Sequence, residues 1–165
     1  MVNERIAERA VDLLCRLIEV PRVSGEEGAA ADLLEAYMKG ELGLEVRRQG
    51  NNLWSVAPGF SGEKATLLLC AHIDTVRPVA GWRRDSFRAT REGSRIYGLG
   101  SNDDGASLVS LLHVFAALSG RRDGKAKGSS PLGEAGRGLY NLVFLASAEE
   151  EVSGRGGIES VLPLL

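Results

Sequence analysis

The stretch that decides the fold is Thr66-Leu67-Leu68-Leu69-Cys70-Ala71-His72-Ile73-Asp74-Thr75. An almost wholly apolar run gives way at once to an imidazole and a carboxylate two residues apart. A short apolar run bounded by turn signals reads as a strand buried in a sheet. The polar pair then stands at that strand's carboxyl end. A second run of the same kind, Leu142-Val143-Phe144-Leu145-Ala146, leads into Glu149-Glu150-Glu151. Strands buried on both faces, as in parallel sheets under helices, produce such runs.

Outward from these strands the apolar period becomes helical. Residues 4–18 put Ile6, Ala10, Leu13, Leu14, Leu17 and Ile18 on one face, and Pro21 ends that helix. Ser24 and Glu27 stand at capping-box spacing before a second helix running to about Lys39, with Leu33, Leu34, Tyr37 and Met38 inward and Gly40 and Gly43 after it. Leu44 to Arg47 and Leu53 to Val56 are strand signals joined by a tight turn at Asn51-Asn52, and Arg88 to Tyr97 reads as an exposed hairpin. A third helix, Ala106 to Leu118, turns Leu108, Leu111, Leu112 and Phe115 inward, and Gly154 to Leu165 opens a fourth. Residues 120–138, rich in Gly, Ser and charge, predict a flexible surface loop. Helices alternating with apolar strands predict an α/β domain with a mostly parallel central sheet flanked by helices.

Composition narrows the function classes. The 165 residues suffice for one domain with its own core. Hydrophobic and charged shares of 44% and 25% are those of a soluble protein. The net charge of −2 is spread with signs mixed, so no basic stripe points to nucleic acid. No segment approaches the roughly 18 apolar residues of a membrane span, and the charged stretch from Met1 to Arg9 has no leader-like apolar core. Cys15 and Cys70 sit among apolar residues, as core thiols of a reducing compartment do. The expectation is a cytoplasmic domain with no membrane or nucleic-acid partner.

A third polar cluster, Gly98-Leu99-Gly100-Ser101-Asn102-Asp103-Asp104-Gly105, opens the third helix. Each cluster alone has an ordinary reading: a chance His-x-Asp, a helix cap, a solvated acidic turn. Together they carry more weight, because ligands of open α/β sheets bind beyond the carboxyl ends of the strands. One imidazole with several carboxylates and no thiolate suits zinc or a harder divalent cation. Two such ions about 3.5–4 Å apart polarise a carbonyl and generate hydroxide, and a shared carboxylate sets their spacing. Residues two apart on a strand face the same side, so Asp74 can accept from the His72 ring N–H turned away from a metal. On a continuing strand Glu150 and Glu151 face opposite ways, one for metal and one for the proton of an attacking water. His113 reads as structural, Cys70 as core, and Trp54 and Trp82 as packing residues.

The stretches IEVPRVSGEE (18–27), LLLCAHIDTVRP (67–78), GWRRDSF (81–87), YGLGSNDDGAS (97–107) and LASAEEEVSGRGGIE (145–159) resemble the M20 family of metallopeptidases and deacylases. The resemblance implies a zinc-peptidase-like catalytic domain that hydrolyses an amide next to a free carboxylate. It implies two divalent ions, usually zinc and sometimes cobalt. His72 would bind one, Glu151 the other, and Asp103 would bridge them. Asp74 would orient His72, Glu150 would be the general base, and the Asp103–Asp104 bond would be cis. The substrate would be a small N-acyl amino acid or peptide, the wording standing nearest acetylornithine deacetylase among relatives that include succinyl-diaminopimelate desuccinylase. The full-length form would be a homodimer.

The sequence departs from the family pattern at Leu99, where Arg is common, at Asp104-Gly105, where a Lys-Gly pair often follows, and at Ser153, where Gly is common. By the same resemblance, residues 1–165 correspond to the N-terminal part of the catalytic domain. The lid and dimerisation domain, the C-terminal part of the catalytic domain and one further ligand for each metal would lie outside it. The chain alone is then expected to be inactive, and the alternative is a non-catalytic fragment that binds metal weakly. The apolar end Val161-Leu162-Pro163-Leu164-Leu165, left without partners, predicts poor solubility.

Overall fold

The computed structural model describes residues 4–119 and 139–165. The loop expected over 120–138 lies outside the described residues. The chain folds into helices α1 (Glu4–Ile18), α2 (Gly28–Gly40) and α3 (Gly105–Leu118) and strands β1 (Arg47–Gln49), β2 (Asn52–Val56), β3 (Ala65–His72), β4 (Thr90–Glu92), β5 (Arg95–Tyr97) and β6 (Tyr140–Ser147). Four strands form a sheet in the order β1-β2-β6-β3, and β4 and β5 pair separately as the expected hairpin.

The α/β layering follows the sequence pattern, and the sheet itself is mixed. β3 and β6 run parallel from Ala65↔Tyr140 to His72↔Ser147. β1–β2 and β2–β6 are antiparallel. Connection length accounts for two of the three pairings: the two-residue loop between β1 and β2 can only reverse the chain, whereas the long connection containing α3 permits the parallel return from β3 to β6. The hairpin register Gln49↔Asn52 puts the turn at Gly50-Asn51, one residue before the expected Asn51-Asn52.

Strand alternation sorts side chains between two unequal layers. Leu53, Leu69, Ala71, Phe144 and Ala146 face the helices, where they join Leu13, Leu14, Leu17, Ile18, Leu34, Met38, Leu108, Leu112 and Phe115 in the main core. Trp54, Leu145 and Leu68 face the other way, where Val161, Ile158 and Leu165 cover them. β6 lies inside the sheet and is buried along most of its length, as its apolar run implies. β3 has the same character but forms an edge, so Leu67 is half exposed and Cys70 is exposed rather than in the core.

Two further expectations shift. No long helix follows Gly154; the chain instead makes 3-10 turns at Ile158–Ser160 and Leu162–Leu164. Three glycines (Gly154, Gly156, Gly157) raise the backbone entropy to be lost, and Pro163 cannot donate to a continuing helix. α2 begins at Gly28 with no side-chain cap. Ser24 and Glu27 are drawn to other partners, described below. Among the described residues, no helix is long and apolar enough to cross a membrane.

Candidate metal centre

β3 delivers His72 at the carboxyl end of its parallel pairing with β6. The ring is almost wholly buried and bonded at both nitrogens. Nδ1 lies 3.0 Å from the Asp74 backbone carbonyl and 3.5 Å from the Asp74 carboxylate, while Nε2 lies 3.1 Å from Asp103 Oδ1. Asp74 therefore orients the ring chiefly through its main chain. Its buried carboxylate accepts instead from the Ser24 hydroxyl at 2.7 Å and from the N–H groups of Glu150 and Glu151, each at 3.1 Å.

The glycine-rich loop brings Asp103 and Asp104 to the start of α3, and the bond between them is cis, as the resemblance implies. Asp103 is exposed. Asp104 turns back, its Oδ2 accepting from the His72 N–H at 3.3 Å. Beside Asp103 lies an open pocket of about 270 Å3, bordered by Thr75, Val76, Trp82, Leu99, Asn102 and Glu151. Trp82 is thus not the packing residue expected of it: it is partly exposed at the pocket wall, whereas Trp54 is buried.

The acidic triplet does not continue the strand. Glu149 takes a left-handed backbone (φ 54°), and Glu150 and Glu151 enter a 3-10 turn, so their directions are set by the turn and not by strand alternation. Glu149 leaves the cluster, its carboxylate accepting from the Gly156 N–H at 3.0 Å. The N–H groups of all three acids point at buried carboxylates: Glu149 at Glu27 (3.1 Å), Glu150 and Glu151 at Asp74. Charge-assisted bonds of this kind hold an acidic turn against its own repulsion. The side chain of Glu150 is exposed, with Oε2 3.8 Å from His72 Nε2.

The electrostatics follow from this crowding. Burial alone would push the His72 imidazole down, but the Asp74 and Asp103 carboxylates, with Asp104 nearby, hold it up at about 9. Burial opposes the ionised Asp74, yet the adjacent His72 ring and the bonds from Ser24 and the two glutamate N–H groups bring it down to about 2. Glu151 is raised by burial and then by the negative charge of Asp103.

Ligand atoms of His72, Asp103 and Glu151 lie within 4.8 Å of one another. Atoms bound to one ion at about 2.0–2.2 Å can be up to about 4.4 Å apart, so the set fits a divalent cation with small adjustments. Its donors, one imidazole nitrogen and carboxylate oxygens, suit zinc and similar ions. The structure thus brings His72, Asp74, Asp103, Glu150 and Glu151 to one strand-end rim. His113 lies elsewhere, buried and bonded to Tyr37 and Val109.

The supporting roles of three residues escaped the sequence reading. Arg22 is buried and donates to the carbonyls of Ile73 and Gly100. Glu27 accepts from the N–H of Gly25 (2.8 Å), the amide of Asn51 (3.1 Å) and the N–H of Glu149. Asn52 ties Ala148 (2.9 Å) to Gly156 (2.6 Å). All three bond across long sequence separations, which no local pattern reveals; Arg22 and Glu27 fall in the stretch 18–27 that carries the family resemblance and Asn52 in the expected turn, neither of which names these partners.

Comparison with known proteins gives the family and the fold. The model of peptidase family M20/M25/M40 matches residues 68–164. A succinyl-diaminopimelate desuccinylase of Novosphingobium aromaticivorans is 26% identical over 91% of the chain and 37% of its own length. The enzyme of that name from Corynebacterium glutamicum is 35% identical over 63% of the chain and 27% of its own length. Among solved structures, human carnosine dipeptidase 1 superposes with a TM-score of 0.64 at 17% identity, over 96% of the chain and 36% of that protein. An M20 family metallo-carboxypeptidase of Sulfolobus solfataricus gives 0.64 at 22% identity, over 87% and 31%. The likeness to these structures extends to the fold. The chain spans about a third of the length of the curated relatives it matches.

Proposed function

The chain belongs to peptidase family M20/M25/M40, and from that premise we propose that it carries the metal-binding and proton-transfer residues of an amide hydrolase acting on small N-acyl amino acids or peptides. The observation that carries this reading is the convergence of His72, Asp103 and Glu151 at one rim with Glu150 beside them. His72 Nε2, Asp103 and Glu151 are the residues that would hold the divalent ions, with zinc the preferred metal and cobalt the alternative. When bound, the ions supply the positive charge that polarises the scissile carbonyl and makes water a nucleophile at neutral pH.

The chain's own groups do the rest. Asp74 fixes the His72 ring so that Nε2 faces the site, and its carboxylate sets Glu150 and Glu151 in their turn. Glu150, whose exposed carboxylate stands 3.8 Å from His72 Nε2, takes the proton of the attacking water and returns it to the departing nitrogen. The C–N bond breaks, leaving a carboxylate and a free amine. A succinyl-diaminopimelate-like substrate is favoured by the names of the relatives, which lend no weight to the acetylornithine branch. We place the protein in the cytoplasm and take the full-length form to be a homodimer with neither nucleic-acid nor membrane partner.

A second reading has its own observation. Among the described residues, His72, Asp103 and Glu151 form the only group of three or more such side chains placed to hold an ion, and three ligands shared between two ions bind them weakly. The chain by itself would then bind metal without turnover. Zinc- and cobalt-loaded protein assayed against N-succinyl and N-acetyl amino acids and dipeptides decides. Chelator-sensitive hydrolysis, reduced about 10^2–10^4-fold by Glu150→Ala, supports the hydrolase reading. Hydrolysis unaffected by that substitution contradicts the mechanism, and metal binding without turnover favours the second reading.

A further inference from the structure

Arg22 is the largest fully buried side chain in the described residues, only 1% exposed, in a position next to a rim crowded with carboxylates. Its main chain pairs with the segment after β3: its carbonyl accepts from the Thr75 N–H at 2.9 Å, and Val23 bridges to Thr75. Its side chain crosses to the glycine-rich loop. One guanidinium nitrogen donates to the carbonyl of Ile73, which stands between His72 and Asp74, and the other donates to the carbonyl of Gly100 at 2.9 Å. That same Gly100 carbonyl accepts from the Gly105 N–H at 3.1 Å, closing the loop that presents Asp103.

The surroundings are cut to this side chain. A Cβ at Gly100 would lie 3.0 Å from Arg22 Cζ, and one at Gly105 would lie 3.1 Å from Nη2. The fork is held even though Nε has no acceptor, a cost of the kind that buried polar groups seldom bear without a role.

We propose that Arg22 is a positioning residue which fixes the His72 segment against the Asp103 loop, so that two ligands from distant parts of the chain are in register before metal arrives. The inference rests on the metal-centre reading above. Arginine suits the task because its planar fork presents donors on two nitrogens at a fixed separation; an ammonium's donors all radiate from a single nitrogen. A second effect opposes the first. Asp74 and Asp104 lie near enough to stabilise the charged guanidinium, so Arg22 also competes with a cation for the same negative charge. The clamp predicts that removing Arg22 weakens metal binding; competition alone predicts that it strengthens it.

The test measures Zn2+ affinity by competition with a chromophoric chelator, and the visible spectrum of bound Co2+, in the parent chain, Arg22→Lys and Arg22→Met, with folding checked by circular dichroism. Folded Arg22→Met is expected to bind Zn2+ about 10- to 100-fold more weakly, the range found for residues that support ligands from behind, with an altered Co2+ spectrum. Arg22→Lys should recover part of both. Either variant folded, with parental or tighter affinity and the parental spectrum, overturns the clamp. Should Arg22→Met fail to fold, Arg22→Lys, which keeps the charge and the long stem, decides by the same criterion. A parent chain that binds no Zn2+ overturns the metal centre and the clamp together.

Discussion

The two histidines are buried alike, 8% exposed for His72 and 6% for His113, and each has both ring nitrogens bonded. Their partners differ. In α3, His113 Nδ1 donates to the Val109 carbonyl at 2.7 Å, and Nε2 accepts from the Tyr37 hydroxyl at 2.9 Å. Burial dominates there and pushes the ring below its ordinary pKa. At the end of β3, His72 meets carboxylates that outweigh the same burial and hold it up at about 9. Depth therefore separates neither residue from the other. An imidazole bonded to neutral groups has its needs met within the fold, whereas one facing several carboxylates sits where a cation can take over the charge balance.

The largest effect that can break this comparison is deletion of each ring. His72→Ala should lower Zn2+ affinity by more than about 100-fold, beyond the loss expected for a supporting residue, while His113→Phe leaves it at the parental value. Calorimetric titration of both checks this, and equal losses would dissolve the distinction. A smaller effect sharpens it. Asp74→Asn keeps the shape but turns a carboxylate that receives Ser24 and two backbone N–H groups into an amide with one acceptor oxygen. Urea unfolding should show a loss of about 2–3 kcal/mol from the unmet buried donors, together with weaker Zn2+ binding.

The smallest effect is the pH dependence of stability contributed by His113. Its folded pKa lies below the unfolded value near 6.5, so the unfolded chain binds the extra proton first as pH falls. The contribution is complete above 6.5 and is lost as pH drops through the depressed folded value. Facing groups are Tyr37 on α2, Arg9 on α1 and Glu41 just after α2; Arg9 opposes the proton and Glu41 favours it, both weakly beside the burial. Urea midpoints measured from pH 7 to 4.5 should fall less steeply in His113→Gln than in the parent. A steeper fall would reverse the assignment.

Much of this was legible in the sequence where the physics is local. The apolar period gave α1 residue for residue, and the two apolar runs gave β3 and β6. Their abrupt polar ends located His72, Asp74, Glu150 and Glu151 on one rim. What failed depended on the surroundings of each segment. Leu67 and Cys70 look like core residues but lie on an edge strand, and edge position is a property of sheet order. Ser24 and Glu27 have helix-cap spacing, yet they bond instead to Asp74 and to the Glu149 N–H. Glu150 and Glu151 were expected to alternate along a strand, but the left-handed Glu149 turns the chain first. Arg22 went unnoticed because its meaning lies in two carbonyls, at positions 73 and 100, that no local spacing connects.

Whether His72, Asp103 and Glu151 hold divalent metal is read most simply by anomalous diffraction at the zinc edge from crystals of the Zn2+-loaded chain. Density is expected between His72 Nε2 and the carboxylates of Asp103 and Glu151, with none beside His113 or Cys70. Zinc bound elsewhere while that rim stays without anomalous density would contradict the assignment.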